Sequence, residues 1–149
     1  MNYSNAQVVL QEVPGEISLA LSISGCPFKC KGCHSQQTWN PGFGEPLDLS
    51  SLLAKYGQLV TCVLFYGGEW YSQELKQHLI QCKQAGLKTC LYTGSNKPIK
   101  ALLPYLDFIK IGRWIESYGG LESPTTNQRF YRVDDQLLTD LTHLFKEQK

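Results

Sequence analysis

No run of like charges occurs in this 149-residue chain, whose formal net charge is +1, from 14 lysines and arginines against 13 aspartates and glutamates. An electrostatic footprint for nucleic acid or an anionic membrane is therefore missing. No apolar run is long enough to cross a bilayer, and the opening MNYSNAQ lacks a basic-then-apolar signal pattern. The expectation is a cytoplasmic protein with neither nucleic acid nor membrane as partner. Internal repeats and low-complexity segments are lacking too. Charged residues are 18% of the chain, below the usual quarter, while aromatics are 11%. That apolar surplus has two destinations, the core or a partner, and composition does not choose between them. The length suits one domain, spanning 1–149, with a real core.

What the chain does have is cysteine, six in all. A cytosolic address argues against a disulfide framework. Three of them crowd into Cys26–Cys33, which points to a metal site or redox chemistry. Cys62, Cys82 and Cys90 sit instead on apolar strand or helix patterns and read as small core residues.

The hydropathy pattern alternates strand and helix through the middle of the chain. Gln7–Val13 and Ile17–Ser24 read as extended runs around a Pro14-Gly15 turn. Residues 34–48 read as loop. A helix from Leu49, capped by Asp48 or Ser50, is closed by Gly57. Thr61–Tyr66 is a buried strand, Gln73–Ala85 a helix, and Lys88–Tyr92 the next strand. Ser95 or Asn96 caps a short helix with Pro98 in its first turn. Asp107–Ile111 is a further strand, 112–133 is irregular, and Asp134–Lys146 reads as a final helix with Leu137, Leu141, Leu144 and Phe145 on one face. Right-handed crossovers would make the strands parallel. The fold class expected is α/β: an open partial (β/α) barrel of about five to six mostly parallel strands, too few for a closed eight-stranded barrel. Cys26, Gly67-Gly68-Glu69, Thr93-Gly94 and Gly112-Arg113 each follow a strand. They would share the rim at the strands' C-terminal ends, where ligand sites of such sheets lie.

The cysteine segment is Gly25-Cys26-Pro27-Phe28-Lys29-Cys30-Lys31-Gly32-Cys33-His34. Its C-x3-C-x2-C spacing puts three thiolates on one tight loop, enough for three corners of a cubane cluster, with no fourth cysteine nearby. A structural zinc site using His34 is the competing reading. Adjacent Cys33 and His34 do not easily converge on one tetrahedral ion, and no second ligand pair follows at zinc-finger spacing.

The spacing resembles the signature of the radical S-adenosylmethionine enzymes. That resemblance implies a 4Fe–4S cluster held by Cys26, Cys30 and Cys33 with its fourth iron open to S-adenosylmethionine. The cofactor's methionine end would lie near Gly67, Gly68 and Glu69, which are similar to the family's GGE motif. Gly32, Cys33, His34, Thr93 and Gly94 would line the rest of the cofactor pocket. No catalytic side chain is expected beyond cluster and cofactor. The stretch GCPFKCKGCHSQQTW, Gly25–Trp39, is further similar to activating proteins of anaerobic ribonucleoside-triphosphate reductases. The opening MNY, Gly44-Glu45-Pro46, Asn127-Gln128 and the short length agree with it. By this resemblance the chain is an oxidoreductase that places a glycyl radical on the large catalytic subunit of such a reductase. A small electron donor of flavodoxin or ferredoxin type would serve it. Trp39 and Trp70 are candidate interface anchors, with local packing of the cluster loop as their other role. Other readings are another radical activator, such as a pyruvate formate-lyase type, a small-molecule radical enzyme, or an iron–sulfur electron carrier. Two departures from the wider superfamily stand out. Gly32 replaces the aromatic that many members carry before the third cysteine, and Trp70 replaces the commoner proline after the GGE glutamate.

Overall fold

The computed structural model describes residues 1–30, 32 and 36–146. Eight strands form one sheet: β1 (Asn2–Val9), β2 (Ser18–Ile23), β3 (Glu45–Pro46), β4 (Cys62–Tyr66), β5 (Lys88–Tyr92), β6 (Phe108–Ile111), β7 (Arg129–Asp134) and β8 (Leu137–Asp140). Three helices accompany them: α1 (Leu49–Tyr56), α2 (Ser72–Gln84) and the one-turn α3 (His143–Lys146). The spatial order is β3-β1-β2-β4-β5-β6-β7-β8.

The centre of the sheet is parallel, in the order β2-β4-β5-β6. These strands are near-continuous apolar runs because both of their faces are covered. Leu19, Leu21, Val63, Phe65, Leu91 and Ile109 point to one face. There they pack with Leu49 of α1 and with Leu75, Leu79 and Cys82 of α2. Ala20, Cys62, Leu64, Cys90 and Phe108 point to the other, against Val13, Leu121 and Phe130. The first of these helices starts and stops where local chemistry directs. The Asp48 carboxylate accepts from the Ser51 N–H at 3.2 Å at the start of α1, and Gly57 caps its end.

The fold expectation needs correction. The sheet is mixed, with eight strands and few helices, and is not the mostly parallel partial barrel of five to six strands. Antiparallel β1 and β3 extend it on one side, and antiparallel β7 and β8 on the other. The segment after β5 forms no α-helix. Lys97 N–H bonds back to Ser95 Oγ at 3.2 Å, and only a 3-10 turn at Leu103–Tyr105 follows. The 34–48 loop contains a 3-10 turn, Gln36–Trp39, and the short β3.

The largest misreading lies at the C-terminal end. The leucine spacing there mimics a helical stripe, yet Asp134–Lys146 holds the end of β7, β8 and only one turn of helix. Asp135 and Gln136 link the hairpin with φ of 48° and 67°, as a type I′ turn requires at both central positions. Neither is the glycine that advertises such a turn in sequence. The double replacement Asp135→Asn, Gln136→Gly is expected to stabilise the protein by about 1 kcal/mol, since αL costs a non-glycine residue about that much. Thermal unfolding should shift up by roughly 2–4 °C. No gain, together with tolerance of Gln136→Val, would show that the turn is not held in this conformation.

Candidate functional site

The parallel strands bring the four expected segments to one rim. β2 leads into the cysteine loop, β4 into Gly67-Gly68-Glu69, β5 into Thr93-Gly94 and β6 into Gly112-Arg113. The cysteine loop is tied down from several directions. Gly25 N–H and Cys26 N–H donate to Thr38 O at 2.6 and 3.2 Å, and Ser24 Oγ donates to Phe43 O at 2.7 Å. Arg113 reaches across from the end of β6 and donates to Phe28 O at 2.8 Å. Phe28 itself packs over Gly94, where any Cβ would come within 2.9 Å of its ring.

Cys26 and Cys30 are half-buried free thiols on this loop. Burial pushes the Cys26 thiol up, and backbone hydrogen bonds from Phe28 and Lys29 partly offset it. Cys33 and His34 lie outside the described residues, as do Lys31 and Ser35, so the third expected ligand has no stated position. Among the described residues no three metal-ligating side chains cluster. The remaining cysteines contrast with the loop pair. Cys62, Cys82 and Cys90 are fully buried, and burial pushes the thiols of Cys62 and Cys82 up to about 12. They are neutral core groups, unsuited to bind metal. Two free, half-buried thiols, that of Cys26 with the peptide N–H groups of Phe28 and Lys29 aimed at its sulfur, fit a soft, thiolate-bound iron–sulfur group.

Next to Cys26 lies a cavity of about 210 Å³, lined also by Phe28, Gly67, Glu69, Thr93, Gly94 and Lys110. Thr93 Oγ1 donates to Glu69 Oε1 at 2.7 Å, while Glu69 Oε2 is buried without a hydrogen-bond partner. Burial raises the Glu69 pKa, opposed by the Thr93 bond and the Lys110 charge. Lys110 is 8% exposed and donates to Gly112 O at 3.0 Å. Burial lowers its pKa to about 8, against the pull of Glu69. The pair faces one cavity without forming an ion pair. A buried anion and a buried cation, each with capacity left over, are suited to a zwitterion.

The two glycines of the GGE loop differ in what they do. Gly67 lies under Trp70, and a Cβ there would come within 2.4 Å of the indole. Gly68 has φ +107° but would meet Ile23 only at 3.4 Å, so backbone conformation rather than crowding selects glycine there. Trp70, the departure from proline, donates through Nε1 to Ser24 O at 3.1 Å. It thereby locks the GGE loop onto the strand end that precedes Cys26. Trp39 is half-buried. Gly32 is exposed on the loop and does not line the cavity.

Sequence reasoning placed Arg113 on the rim but not its bond to Phe28 O, and it missed Lys110 and Phe28 as site residues. Lys110 had a readable signal, a lone charge within the apolar run Phe108–Ile111. The Phe28 contacts with Arg113 and Gly94 had none, since they join loops distant in the chain.

A loop of half-buried thiols on the rim of this sheet, set apart from the buried core cysteines, is a place for an iron–sulfur cluster. Residues 14–118, from the turn before β2 to just beyond the β6 rim segment, match the family described as 4Fe-4S single cluster domain, and the chain belongs to that family. No curated protein matches the chain. Among the described residues no helix is long and apolar enough to cross a membrane.

Proposed function

We propose that this protein is a radical S-adenosylmethionine enzyme that places a glycyl radical on the large subunit of an anaerobic ribonucleoside-triphosphate reductase. The observation that carries the cofactor part is the cavity beside Cys26, where the unpartnered Glu69 Oε2 and the buried Lys110 ammonium face the same space. A methionine end is an ammonium and a carboxylate on one carbon. Glu69 would take the ammonium and Lys110 the carboxylate. Phe28, packed on Gly94, offers an aromatic face on the same cavity, in place of the aromatic that Gly32 lacks.

Cys26, Cys30 and Cys33 would hold the 4Fe–4S cluster. When bound, it supplies one electron and an open iron for reductive cleavage of the sulfonium C5′–S bond, yielding methionine and a 5′-deoxyadenosyl radical. The chain's residues bind and orient. Thr93 holds the Glu69 carboxylate in place, Trp70 locks the GGE loop, and Arg113 braces the cysteine loop at Phe28 O. A flavodoxin- or ferredoxin-type donor would supply the electron. The resemblance of Gly25–Trp39 to reductase activators supports the protein substrate.

The test mixes anaerobically reconstituted protein, the genomic reductase partner, S-adenosylmethionine and a reductant. Expected are release of 5′-deoxyadenosine and a glycine-centred EPR doublet on the partner, lost when its C-terminal glycine becomes alanine. Cofactor cleavage without any partner radical would overturn the activase assignment but keep the radical chemistry. Iron redox cycling with no cleavage would leave an electron carrier.

A further inference from the structure

The strand registers place one row of side chains across the sheet just beneath the rim. Asn5 pairs with Ser22, Ser22 with Tyr66, Tyr66 with Tyr92, and Tyr92 with Lys110. All five lie on the face away from α1 and α2. The row starts at the open β1 side and ends at the buried ammonium of the ligand cavity.

A bulge in β1 sets this arrangement. Tyr3 pairs with Ile23 but Asn5 with Ser22, so Ser4 is an extra residue. Without that insertion Asn5 and Gln7 would turn toward the helix-covered face, among Leu19, Leu21 and Ile23. With it, Ala6 packs toward that core and Asn5 and Gln7 face the open side. Bulges re-aim side chains in this way beside functional sites.

Asn5, Gln7 and Ser22 line a second cavity of about 360 Å³, completed by Ile23, Thr38 and Tyr66. The last three also line the ligand cavity, so the two spaces adjoin. Asn5 and Gln7 are exposed, and the side chains of Asn5, Gln7 and Ser22 make no hydrogen bond within the described chain. Among the described residues no charged one lines the space. Each of the three groups can both donate and accept. Asn5 and Gln7 stand two residues apart on one strand face, about 7 Å, which is the repeat of same-side amides along an extended peptide.

We propose that Asn5, Gln7 and Ser22 form a subsite for the uncharged main chain of an extended polypeptide, the segment that carries the acceptor glycine to the ligand cavity. This inference rests on the activase reading above and names where its protein substrate enters: from the β1 side, along the row toward Lys110. An anionic ligand gains nothing from a lining without cations. An apolar one would leave three polar side chains without partners.

The test uses the cluster-loaded chain and the intact reductase subunit. Two variants are compared with wild type, Asn5→Leu/Gln7→Leu and the isosteric Asn5→Asp/Gln7→Glu. The mutated side chains are exposed, so unchanged thermal unfolding is expected, along with unchanged 5′-deoxyadenosine release in the absence of partner. Reductase binding should weaken about tenfold or more in the first variant, and further in the second, which replaces two amide donors with charge. Hydrogen exchange should show partner-induced protection at residues 5–8 and 20–23. Equal binding by wild type and both variants overturns the subsite and leaves the activase reading standing. Protection confined to the β1 edge main chain, with no effect of the variants, overturns it in favour of strand pairing. A wild type that forms no complex with the reductase removes both readings together.

Discussion

Cys30→Ser is expected to strip the chain of iron. Anaerobically purified wild type should carry about four iron and four sulfide per chain, the content of one cubane. The variant should carry close to none, because two remaining thiolates on one loop leave half the cluster without protein ligands. Cys82→Ser is the control and should keep full occupancy. Cys82 is fully buried on α2, its thiol is pushed up to about 12, and it packs against leucines. Iron and sulfide analysis of both variants decides the matter. Stoichiometric zinc without iron uptake in the wild type, or full iron in Cys30→Ser, would overturn the ligand assignment.

Lys110→Met is expected to move stability and cofactor binding in opposite directions. Burial lowers the Lys110 pKa from 10.5 to about 8. Between those values the unfolded chain holds a proton that the folded chain has released, so stability rises with pH across this window. The cost of burying the ammonium is carried in full below pH 8 and relieved toward pH 10.5. At about 1.4 kcal/mol per pH unit, the relief amounts to about 3 kcal/mol. In metal-free protein, Lys110→Met should be more stable than wild type at pH 7 by about 1–3 kcal/mol, and the gap should close as pH approaches 10.5. S-adenosylmethionine binding should fall by about 100-fold or more, as when one partner of a buried charge pair is removed. Denaturant unfolding at several pH values and the cofactor-induced change in the cluster's EPR signal provide the two readouts. A variant less stable than wild type at pH 7 would mean that the ammonium is satisfied in the fold for reasons of structure alone. Undiminished binding would place the carboxylate elsewhere.

The central strands and α1 and α2 were legible because their signals are local. A strand buried on both faces must be apolar throughout, as Ser18–Ile23 and Cys62–Tyr66 are. A capping aspartate and a closing glycine bracket α1. The C-terminal hairpin was not legible. A two-residue turn without glycine leaves no local mark, and Leu137 and Leu141 fit a helix as well as a short strand and its end. What selects the strand is pairing of β7 with β6, residues 18 to 24 positions apart, and sequence periodicity does not report that pairing. The bulge at Ser4 is equally silent, because only pairing with β2 reveals the extra residue.

By itself, the sequence determined that three cysteines share one short loop, that the other three are core residues, and that the GGE and Thr-Gly segments follow strands. Spacing and burial pattern are properties of neighbours along the chain, and those claims need nothing else. Only the tertiary structure decided that the sheet is mixed, that Trp70 joins the GGE loop to Ser24, and that Lys110 of β6 and Glu69 of the turn after β4 face one cavity. Those relations depend on strand order and register, set when distant apolar faces are buried together, and no window of adjacent residues contains them.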